Sequence, residues 1–335
     1  MKTARFIGDK KVKIEEKPMP EIKDDEVLIE VKRCGLCGSE REQYLEGYHQ
    51  QQGHEVTGII SKTGSKVDLQ SGTRIAAYLT KFCGSCQFCE QGLTTMCSHY
   101  EEKENLGWSW PGGFAEYMAL PARNALPLPD DLSFEQGVIL LDTLGTPFHG
   151  LRYAKAEKLS SACVIGCGTV GLGTIIVLKA MGLEKIFAAD LSDYRVDMAA
   201  KLGAITINPT KTDPIDFIQE NTDTGVDLVV EAVGKPLTLK QGIKMIKPGG
   251  KVLCLGEQPE EFSLTIDLKI RLKDHSLLRS WYFPLKEYKE NVRLMQDGFF
   301  AGHEQLITHV FKLEEMQKAA DLFYGGETGK VLIKL

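Results

Sequence analysis

A glycine-rich turn near the middle of the chain limits the possible fold more than any other feature of the sequence. The segment VIGCGTVGLG (164–173) contains Gly166, Gly168 and Gly171 in the order G-x-G-x-x-G, after an apolar run and at the start of a helical pattern. In this arrangement the three glycines permit a tight turn, close approach of a pyrophosphate, and close packing of helix on strand. Asp190 ends the next predicted strand. The pattern predicts a dinucleotide-binding βαβ unit.

The surrounding residues support a doubly wound parallel sheet, because strand-like runs alternate with helix-length patterns from about residue 160 onwards. The predicted strands are ACVIG, KIFAAD, AITIN, GVDLVVEAVG, GGKVLCLG and SLLRSWYF. We therefore predict an α/β chain with an NAD-binding Rossmann domain at 151–284. Residues 1–150 contain short runs that alternate in the manner of half-buried strands, as in DEVLIEVKRCG, and predict a β-rich, irregular domain. The chain is expected to return to that domain at 285–335.

The cofactor site is predicted around the glycine turn. The N-terminus of the following helix supplies amide groups and a positive dipole end for phosphates. Asp190 would accept hydrogen bonds from the adenosine ribose and repel a 2′-phosphate, which favours NAD over NADP. Arg195 either lines the same pocket or is a solvated arginine at a helix start. The candidate cofactor-binding residues are Gly166, Gly168, Thr169, Val170, Gly171, Asp190, Arg195, Val233 and Gly256.

Four cysteines lie within sixteen residues, in FCGSCQFCEQGLTTMC (82–97). Their spacing, C-x2-C-x2-C-x7-C, is typical of a closed tetrahedral zinc site with no open position for a substrate. The alternatives are a redox pair and a zinc knuckle for nucleic acid. Glu90 and Glu104 place negative charge beside the segment, which argues against a nucleic acid. The candidate structural zinc ligands are Cys83, Cys86, Cys89 and Cys97.

Composition and the N-terminal sequence define the expected environment. The formal net charge of −6 argues against a polyanionic partner. MKTARFIGDKKVKIEEK has no apolar core of a secretory signal, so a reducing, cytoplasmic compartment is expected. Residues 159–178 carry no charge, but their four glycines, all within eight residues, favour a strand, turn and helix over a membrane span. No membrane or nucleic acid partner is therefore expected.

Several motifs together resemble a known family. GHEVTGIISKTGSKV (53–67) is similar to the zinc signature G-H-E-x2-G-x5-G-x2-V of the medium-chain alcohol dehydrogenases. The similarity extends to CGSE upstream, the four-cysteine loop, GGFAEYMALPARNALPLPDDLS (112–133), the glycine turn and the terminal GKVLIKL. Because these motifs occur in the same order, the resemblance covers almost the whole chain. It implies that the β-rich domain at 1–150 is a barrel-like, zinc-binding catalytic domain, and that the protein is a homodimer or homotetramer with two zinc ions per chain.

The resemblance also implies a catalytic zinc held by Cys37, His54 and a third residue. The family supplies a cysteine or, in its polyol branch, a glutamate from a segment that here reads LLDTLGTPFH, which places Asp142 at that position. The alternative for Asp142 is an N-cap or solvated carboxylate. Glu55 is either a structural carboxylate or an exchangeable ligand. Ser39 corresponds to the residue that passes the alcohol proton towards solvent, or is only a turn serine.

The expected activity is hydride transfer between NAD and a secondary alcohol or ketone of a polyol, cyclitol or sugar-like substrate. The polar segment SEREQYLEGYHQQQ (39–52), which is similar in its first residues to the GTDRE run of zinc glucose dehydrogenases, favours a hydroxyl-rich substrate. Trp108 and Trp110 are candidates for packing against sugar C–H groups, with lid packing as the alternative. An aldose 1-dehydrogenase and a non-catalytic binding protein that retains the fold are the rival interpretations. Glu42 replaces the histidine that completes the proton relay in some relatives.

Overall fold

The computed structural model of the protein describes residues 1–99, 104–257, 260–264 and 273–335. The chain forms two compact units. The first contains Met1–Asp142, Pro284–Gly298 and Ile307–Leu335, and the second contains Thr143–Phe283 and Phe299–Leu306. Catalytic and cofactor-binding domain boundaries at 150 and 284 stay predictions. Among the described residues, no helix is long and apolar enough to cross a membrane.

The first unit is built on a large, mostly antiparallel sheet and a separate hairpin. Its strands are β1 (Lys2–Gly8), β2 (Lys11–Glu16), β3 (Glu26–Gly35), β4 (Glu55–Thr63), β5 (Arg74–Ala77), β6 (Tyr117–Pro121), β7 (Ala125–Pro127), β14 (Ile307–Lys312) and β15 (Lys330–Lys334). Its helices are α1 (Arg41–Glu46), α2 (Gln87–Glu90), α3 (Phe134–Leu141), α9 (Tyr288–Gln296) and α10 (Met316–Gly325). The sheet order is β14-β15-β3-β4-β5-β7, and β6 also pairs with β3.

Strand β3 is the centre of this sheet. It pairs with β4, β6 and β15, all antiparallel. The expected alternation is present, since Val27, Ile29 and Val31 are buried and Glu30 is partly exposed. The structure thus confirms the predicted β-rich domain.

The second unit is a parallel sheet flanked by helices, as the alternating pattern predicts. Its strands are β8 (Ser161–Ile165), β9 (Lys185–Ala189), β10 (Ile205–Ile207), β11 (Val226–Glu231), β12 (Ile246–Cys254) and β13 (Ser276–Arg279). Its helices are α4 (Gly145–Tyr153), α5 (Thr169–Ala180), α6 (Asp193–Lys201), α7 (Pro214–Glu220) and α8 (Pro236–Met245). The order β10-β9-β8-β11-β12-β13, with every pairing parallel, confirms the doubly wound sheet.

Strand pairing in the first unit brings the predicted metal ligands together. Gly35, at the end of β3, is paired with Glu55, at the start of β4. Cys37 follows Gly35 after one intervening residue, and His54 directly precedes β4, so both residues lie at the same edge of the sheet. Helix α3 packs against β3 and β4 and ends immediately before Asp142. Three separate elements therefore converge on one point.

Candidate active site

The predicted catalytic ligands form one buried group. One donor atom from each of Cys37, His54, Glu55 and Asp142 lies within 4.8 Å of the others. Cys37, His54 and Glu55 are almost completely buried, and Asp142 is partly exposed. The donor set combines sulfur, nitrogen and carboxylate oxygen, which is the set that zinc binds in proteins. The residues therefore fit a zinc ion.

The thiol and the two carboxylates of the group also favour a bound cation. The Cys37 thiol lies 3.4 Å from Asp142 Oδ2. Burial, followed by the nearby Asp142 carboxylate, raises the pKa of Cys37. Burial also raises the pKa of Glu55, whose Oε2 is buried without a hydrogen-bond partner. A divalent cation would offset the repulsion among these anionic groups.

Glu40 orients His54. Its buried carboxylate contacts His54 Nδ1 at 2.9 Å and accepts a hydrogen bond from the Gly53 amide at 3.0 Å through the same oxygen. Since Nδ1 is engaged by Glu40, Nε2 is the nitrogen left for a metal. Burial alone would lower the pKa of His54, but Glu40 and Cys37 outweigh burial and raise it.

Lys330 pairs with Glu55 inside the core. The ammonium contacts Glu55 Oε1 and donates to the Leu36 carbonyl at 3.1 Å, and neither charged side chain reaches solvent. Burial lowers the pKa of Lys330, but the Glu55 carboxylate more than compensates and holds it above its usual value. Lys330 therefore keeps Glu55 Oε1 occupied and leaves Oε2 buried without a hydrogen-bond partner.

The four cysteines of the 82–97 loop form the second candidate metal site. One sulfur from each of Cys83, Cys86, Cys89 and Cys97 lies within 4.8 Å of the others. All nine cysteines belong to the described residues, and each is a free thiol. Hydrogen bonds from the backbone amides of Ser85 and Cys86 favour the Cys83 thiolate and lower its pKa to about 6. Four sulfur donors fit a closed zinc site.

The glycine turn has the shape of a dinucleotide cradle. Gly166 has φ +92°, and a Cβ on Gly171 would lie 1.8 Å from the Gly166 carbonyl oxygen, so neither position accepts a side chain without a shift. A Cβ on Gly168 would meet no described atom within 4 Å. Gly168 is the N-cap of α5 and provides no side-chain cap, so the first amides of the helix, at Thr169 and Val170, receive no hydrogen bond from a capping side chain. The turn fits a pyrophosphate.

The remaining predicted cofactor residues lie around the same end of the sheet. Asp190 Oδ2 accepts from the Cys167 amide at 2.7 Å, and its Oδ1 accepts from the Ser192 amide at 2.9 Å. Arg195 lies in the first turn of α6, and its Nε is buried without a described partner. Val233 follows β11 and limits the space at Gly166, and Gly256 follows β12, where a Cβ would lie 2.2 Å from the Gly234 nitrogen.

Comparison with known proteins identifies the family. The model for the alcohol dehydrogenase GroES-like domain matches residues 23–130, and that for the zinc-binding dehydrogenase matches residues 169–297. L-threonine 3-dehydrogenase of Bacillus velezensis is 33% identical over 96% of this chain and 94% of its own length. Sorbitol dehydrogenase of Bacillus subtilis is 28% identical over 99% of this chain and 97% of its own length. The alcohol dehydrogenase TADH from Thermus sp. ATN1 has a TM-score of 0.91 at 29% identity and covers 100% of this chain and 99% of its own.

The chain belongs to the zinc-dependent medium-chain alcohol dehydrogenase family. It is a zinc-type dehydrogenase that uses a nicotinamide dinucleotide and acts on a small-molecule alcohol or polyol. The rival interpretation as a non-catalytic protein is therefore wrong.

Two residues of this dehydrogenase site were not singled out from the sequence. Glu40 lies within the CGSE motif and Lys330 within GKVLIKL, but the sequence alone assigned neither residue a role in the site. A lone lysine at the start of an apolar terminal strand was the available signal for Lys330, and a glutamate three residues after Cys37 was the signal for Glu40.

The polar segment before His54 has a different role from the one expected. Gln43 donates to the Gly107 carbonyl at 3.3 Å, Gln51 donates to the Gly112 carbonyl, and Gln52 accepts from the Phe6 amide at 2.9 Å. These three buried glutamines hold neighbouring backbone in place. Ser39 and Glu42 are exposed in this segment.

The two neighbouring tryptophans occupy different environments. Trp110 is buried, and the Lys81 ammonium lies 4.4 Å from its ring centroid. Trp108 is partly exposed, and its ring centroid lies 4.9 Å from that of His54. Trp108 thus lies beside a predicted metal ligand, whereas Trp110 packs into the fold.

Proposed function

We propose that this dehydrogenase oxidises a secondary hydroxyl of a polyol, cyclitol or sugar-like substrate with NAD, and catalyses the reverse reduction. The observation that carries the proposal is the buried group of Cys37, His54, Glu55 and Asp142 donors. A second zinc would be held by Cys83, Cys86, Cys89 and Cys97 with a structural role.

In this proposal Cys37, His54 and Asp142 hold the catalytic zinc. When bound, zinc supplies Lewis-acid stabilisation of negative charge on the alcohol oxygen. Glu40 holds His54 in one orientation, and Lys330 restrains Glu55 beside the ligands without making it one of the three. The exposed Ser39 hydroxyl, two residues after Cys37, would relay the alcohol proton by passing its own proton to water as it receives the one from the alcohol, so that Glu42 would not need to act as the relay histidine does in some relatives.

The preference for NAD rests on Asp190. Its carboxylate is fixed by the two backbone amides of Cys167 and Ser192, at the end of β9 where the adenosine ribose binds in this fold. A 2′-phosphate there would bring two negative groups together. Arg195 lies in the adjacent helix turn and would contact the same part of the cofactor.

The substrate class rests on one expectation and two findings. Asp142, a carboxylate, is expected to take the third ligand position, as the resemblance to polyol dehydrogenases implies. The relative from Bacillus subtilis is named a sorbitol dehydrogenase. Trp108 places a partly exposed aromatic ring beside His54. Such a ring face suits the C–H groups of a carbon chain that also carries hydroxyl groups.

L-threonine is the second candidate substrate. The Bacillus velezensis relative is named an L-threonine 3-dehydrogenase, and it is more similar in sequence than the sorbitol dehydrogenase. Both candidates present a secondary hydroxyl to the same site.

A kinetic panel distinguishes these candidates. The protein, purified with zinc, would be assayed with NAD⁺ and NADP⁺ on polyols, cyclitols, aldoses, L-threonine and simple secondary alcohols. We expect the highest kcat/KM for a polyol or cyclitol. A higher kcat/KM for L-threonine would show that the substrate is an amino acid and not a polyol. A higher kcat/KM for an aldose would favour an aldose 1-dehydrogenase. Simple alcohols with a kcat/KM equal to that of every polyol would refute a hydroxyl-rich substrate.

A further inference from the structure

The hydroxyl of Tyr324 reaches the backbone of a proposed zinc ligand from an element that the mechanism above does not use. Tyr324 lies near the C-terminal end of α10, and its phenol donates to the Cys37 carbonyl at 3.3 Å. The same carbonyl accepts from the Glu40 amide at 3.3 Å. On the other side, the Cys37 amide donates to Glu40 Oε2 at 3.4 Å. Both peptide groups of Cys37 are therefore held, and Ser39 lies within the turn that they fix.

An aromatic cluster sets the position of the Tyr324 ring. The ring stacks on Tyr44, with centroids 4.7 Å apart and planes at 22°. Phe6 and Phe323 meet it edge-on, at 6.0 Å and 5.1 Å. Phe6, Tyr44 and Phe323 are buried. Since the ring is enclosed in this way, the direction of its hydroxyl is determined by packing and not by a flexible side chain.

One face of α10 anchors this arrangement to the rest of the unit. Gln317, Asp321 and Tyr324 are spaced four and three residues apart, so they share a side of the helix. Gln317 donates to the Lys10 carbonyl at 2.9 Å and accepts from the Val12 amide at 2.8 Å. Asp321 accepts from the Tyr44 hydroxyl. The helix is thus fixed to the β1–β2 hairpin and to α1 through groups that do not contact Cys37.

We infer that Tyr324 is a positioning residue for the catalytic zinc ligand Cys37 and for Ser39. Cys37 is 5% exposed, and removal of the phenol would leave the Glu40 amide as the remaining described donor to its carbonyl. Movement of the turn would displace the Cys37 sulfur and, through Glu40, the imidazole of His54. The effect on turnover rests on the proposed function, whereas the effect on metal retention does not.

The test replaces the hydroxyl and keeps the ring. In the zinc-loaded protein, Tyr324→Phe should release the catalytic zinc at about tenfold lower chelator concentration, as expected when a group that supports a metal ligand is lost. The zinc of the four-cysteine loop should be retained, because none of its four proposed ligands belongs to the Cys37 group. With cobalt in the catalytic site, the thiolate–cobalt absorption should shift. kcat for the best alcohol should fall more than its KM changes.

Tyr44→Phe is the matched control. It removes the hydrogen bond to Asp321 from the same aromatic cluster without removing a contact to Cys37. We expect a lower thermal midpoint with wild-type zinc release and an unchanged cobalt spectrum. Wild-type zinc release in Tyr324→Phe, or equal zinc release in both variants, would overturn the inference. If the wild-type protein oxidised no alcohol, the proposed function would fail while zinc release still decided the role of Tyr324.

Discussion

Glu40 connects three parts of the proposed zinc site through one carboxylate. Its two oxygens contact the Cys37 amide, the Gly53 amide and His54 Nδ1. A negative group at Nδ1 fixes the tautomer of the imidazole and strengthens its other nitrogen as a ligand. We expect Glu40→Gln to lower the affinity for the catalytic zinc by about 10- to 100-fold. Zinc release measured against a graded chelator checks this, with Glu42→Gln as a control at an exposed position in the same segment.

The two zinc sites should respond differently to loss of one cysteine. Cys37→Ser should abolish turnover and leave one zinc in a folded protein, because the four-cysteine loop does not depend on Cys37. Cys89→Ser should lower the thermal midpoint, since a structural zinc contributes folding free energy. Metal analysis and thermal unfolding of both variants provide the measurement. A wild-type protein that holds one zinc, unaffected by Cys37→Ser, would refute the assignment of the catalytic site.

Cofactor choice is expected to depend on one carboxylate. Asp190→Ser removes the negative charge beside the ribose. We therefore expect kcat/KM with NAD⁺ to fall and the ratio of kcat/KM with NADP⁺ to that with NAD⁺ to rise. The ratio of kcat/KM for the two cofactors is the readout. Asp193→Ser, an exposed change in the next helix, should leave the ratio unaltered. A wild-type protein that already prefers NADP⁺ would show that the interpretation of Asp190 is wrong.

Among the helices and strands, those with continuous apolar runs are the easiest to predict from the sequence. Strand β11 is buried at every residue, and it was predicted because a parallel strand covered on both faces has an uninterrupted hydrophobic run. Helix α7 was not predicted, although Asp213 caps it and Pro214 occupies its first position. Both are helix-start signals, and a short helix with few buried residues offers little periodicity beyond them.

Side-chain partners inside the site could not be predicted from local patterns. Lys330 and Glu55 are 275 residues apart in the chain, and their pairing depends on β15 lying beside β3. The glutamines of the 39–52 segment were expected to face a substrate, because a sequence does not show which polar groups the backbone will use. Gln43, Gln51 and Gln52 hydrogen-bond to carbonyl and amide groups instead.

The edge where β8 and β11 begin should make the second unit sensitive to acid. Burial raises the pKa of Asp227, but hydrogen bonds from Lys247, Ser161 and Ser160 outweigh burial and leave the pKa below its ordinary value. A lowered pKa in the folded state stabilises the protein above about pH 4. That contribution is lost as the pH falls through the folded-state pKa. Asp227→Asn should lower the thermal midpoint at pH 7 and reduce its dependence on pH below 4.

The control for this prediction is Lys247→Met, which removes one donor and leaves the two serines in place. We expect a smaller loss at pH 7 than in Asp227→Asn, because Lys247 is partly solvent-exposed and such ion pairs contribute little. If the thermal midpoint of Asp227→Asn depended on pH in the same way as that of the wild-type protein between about pH 2 and 5, Asp227 would not be the source of the acid sensitivity.

At the scale of the whole molecule, both ends of the described chain contribute to the first unit, and the C-terminal strand lies inside its sheet. Strand β15 is inserted between β14 and β3, and it begins with the lysine that pairs with Glu55. The C-terminal strand β15 therefore completes the sheet of the first unit and also supports the proposed catalytic zinc site through Lys330.

Deletion of residues 330–335 should therefore unfold the first unit. Val331, Leu332 and Ile333 are fully buried, and each such side chain contributes about 1.5–3 kcal/mol. Their sum alone is comparable with the net stability of about 5–15 kcal/mol of a typical protein, before the lost strand pairing is counted. We expect no catalytic zinc and no cooperative thermal transition for this unit. Deletion of Leu335 alone is the control, because that residue follows β15 and should leave both zinc ions and the thermal midpoint unchanged. A 330–335 deletion that retained two zinc ions and a wild-type midpoint would show that β15 does not stabilise the site.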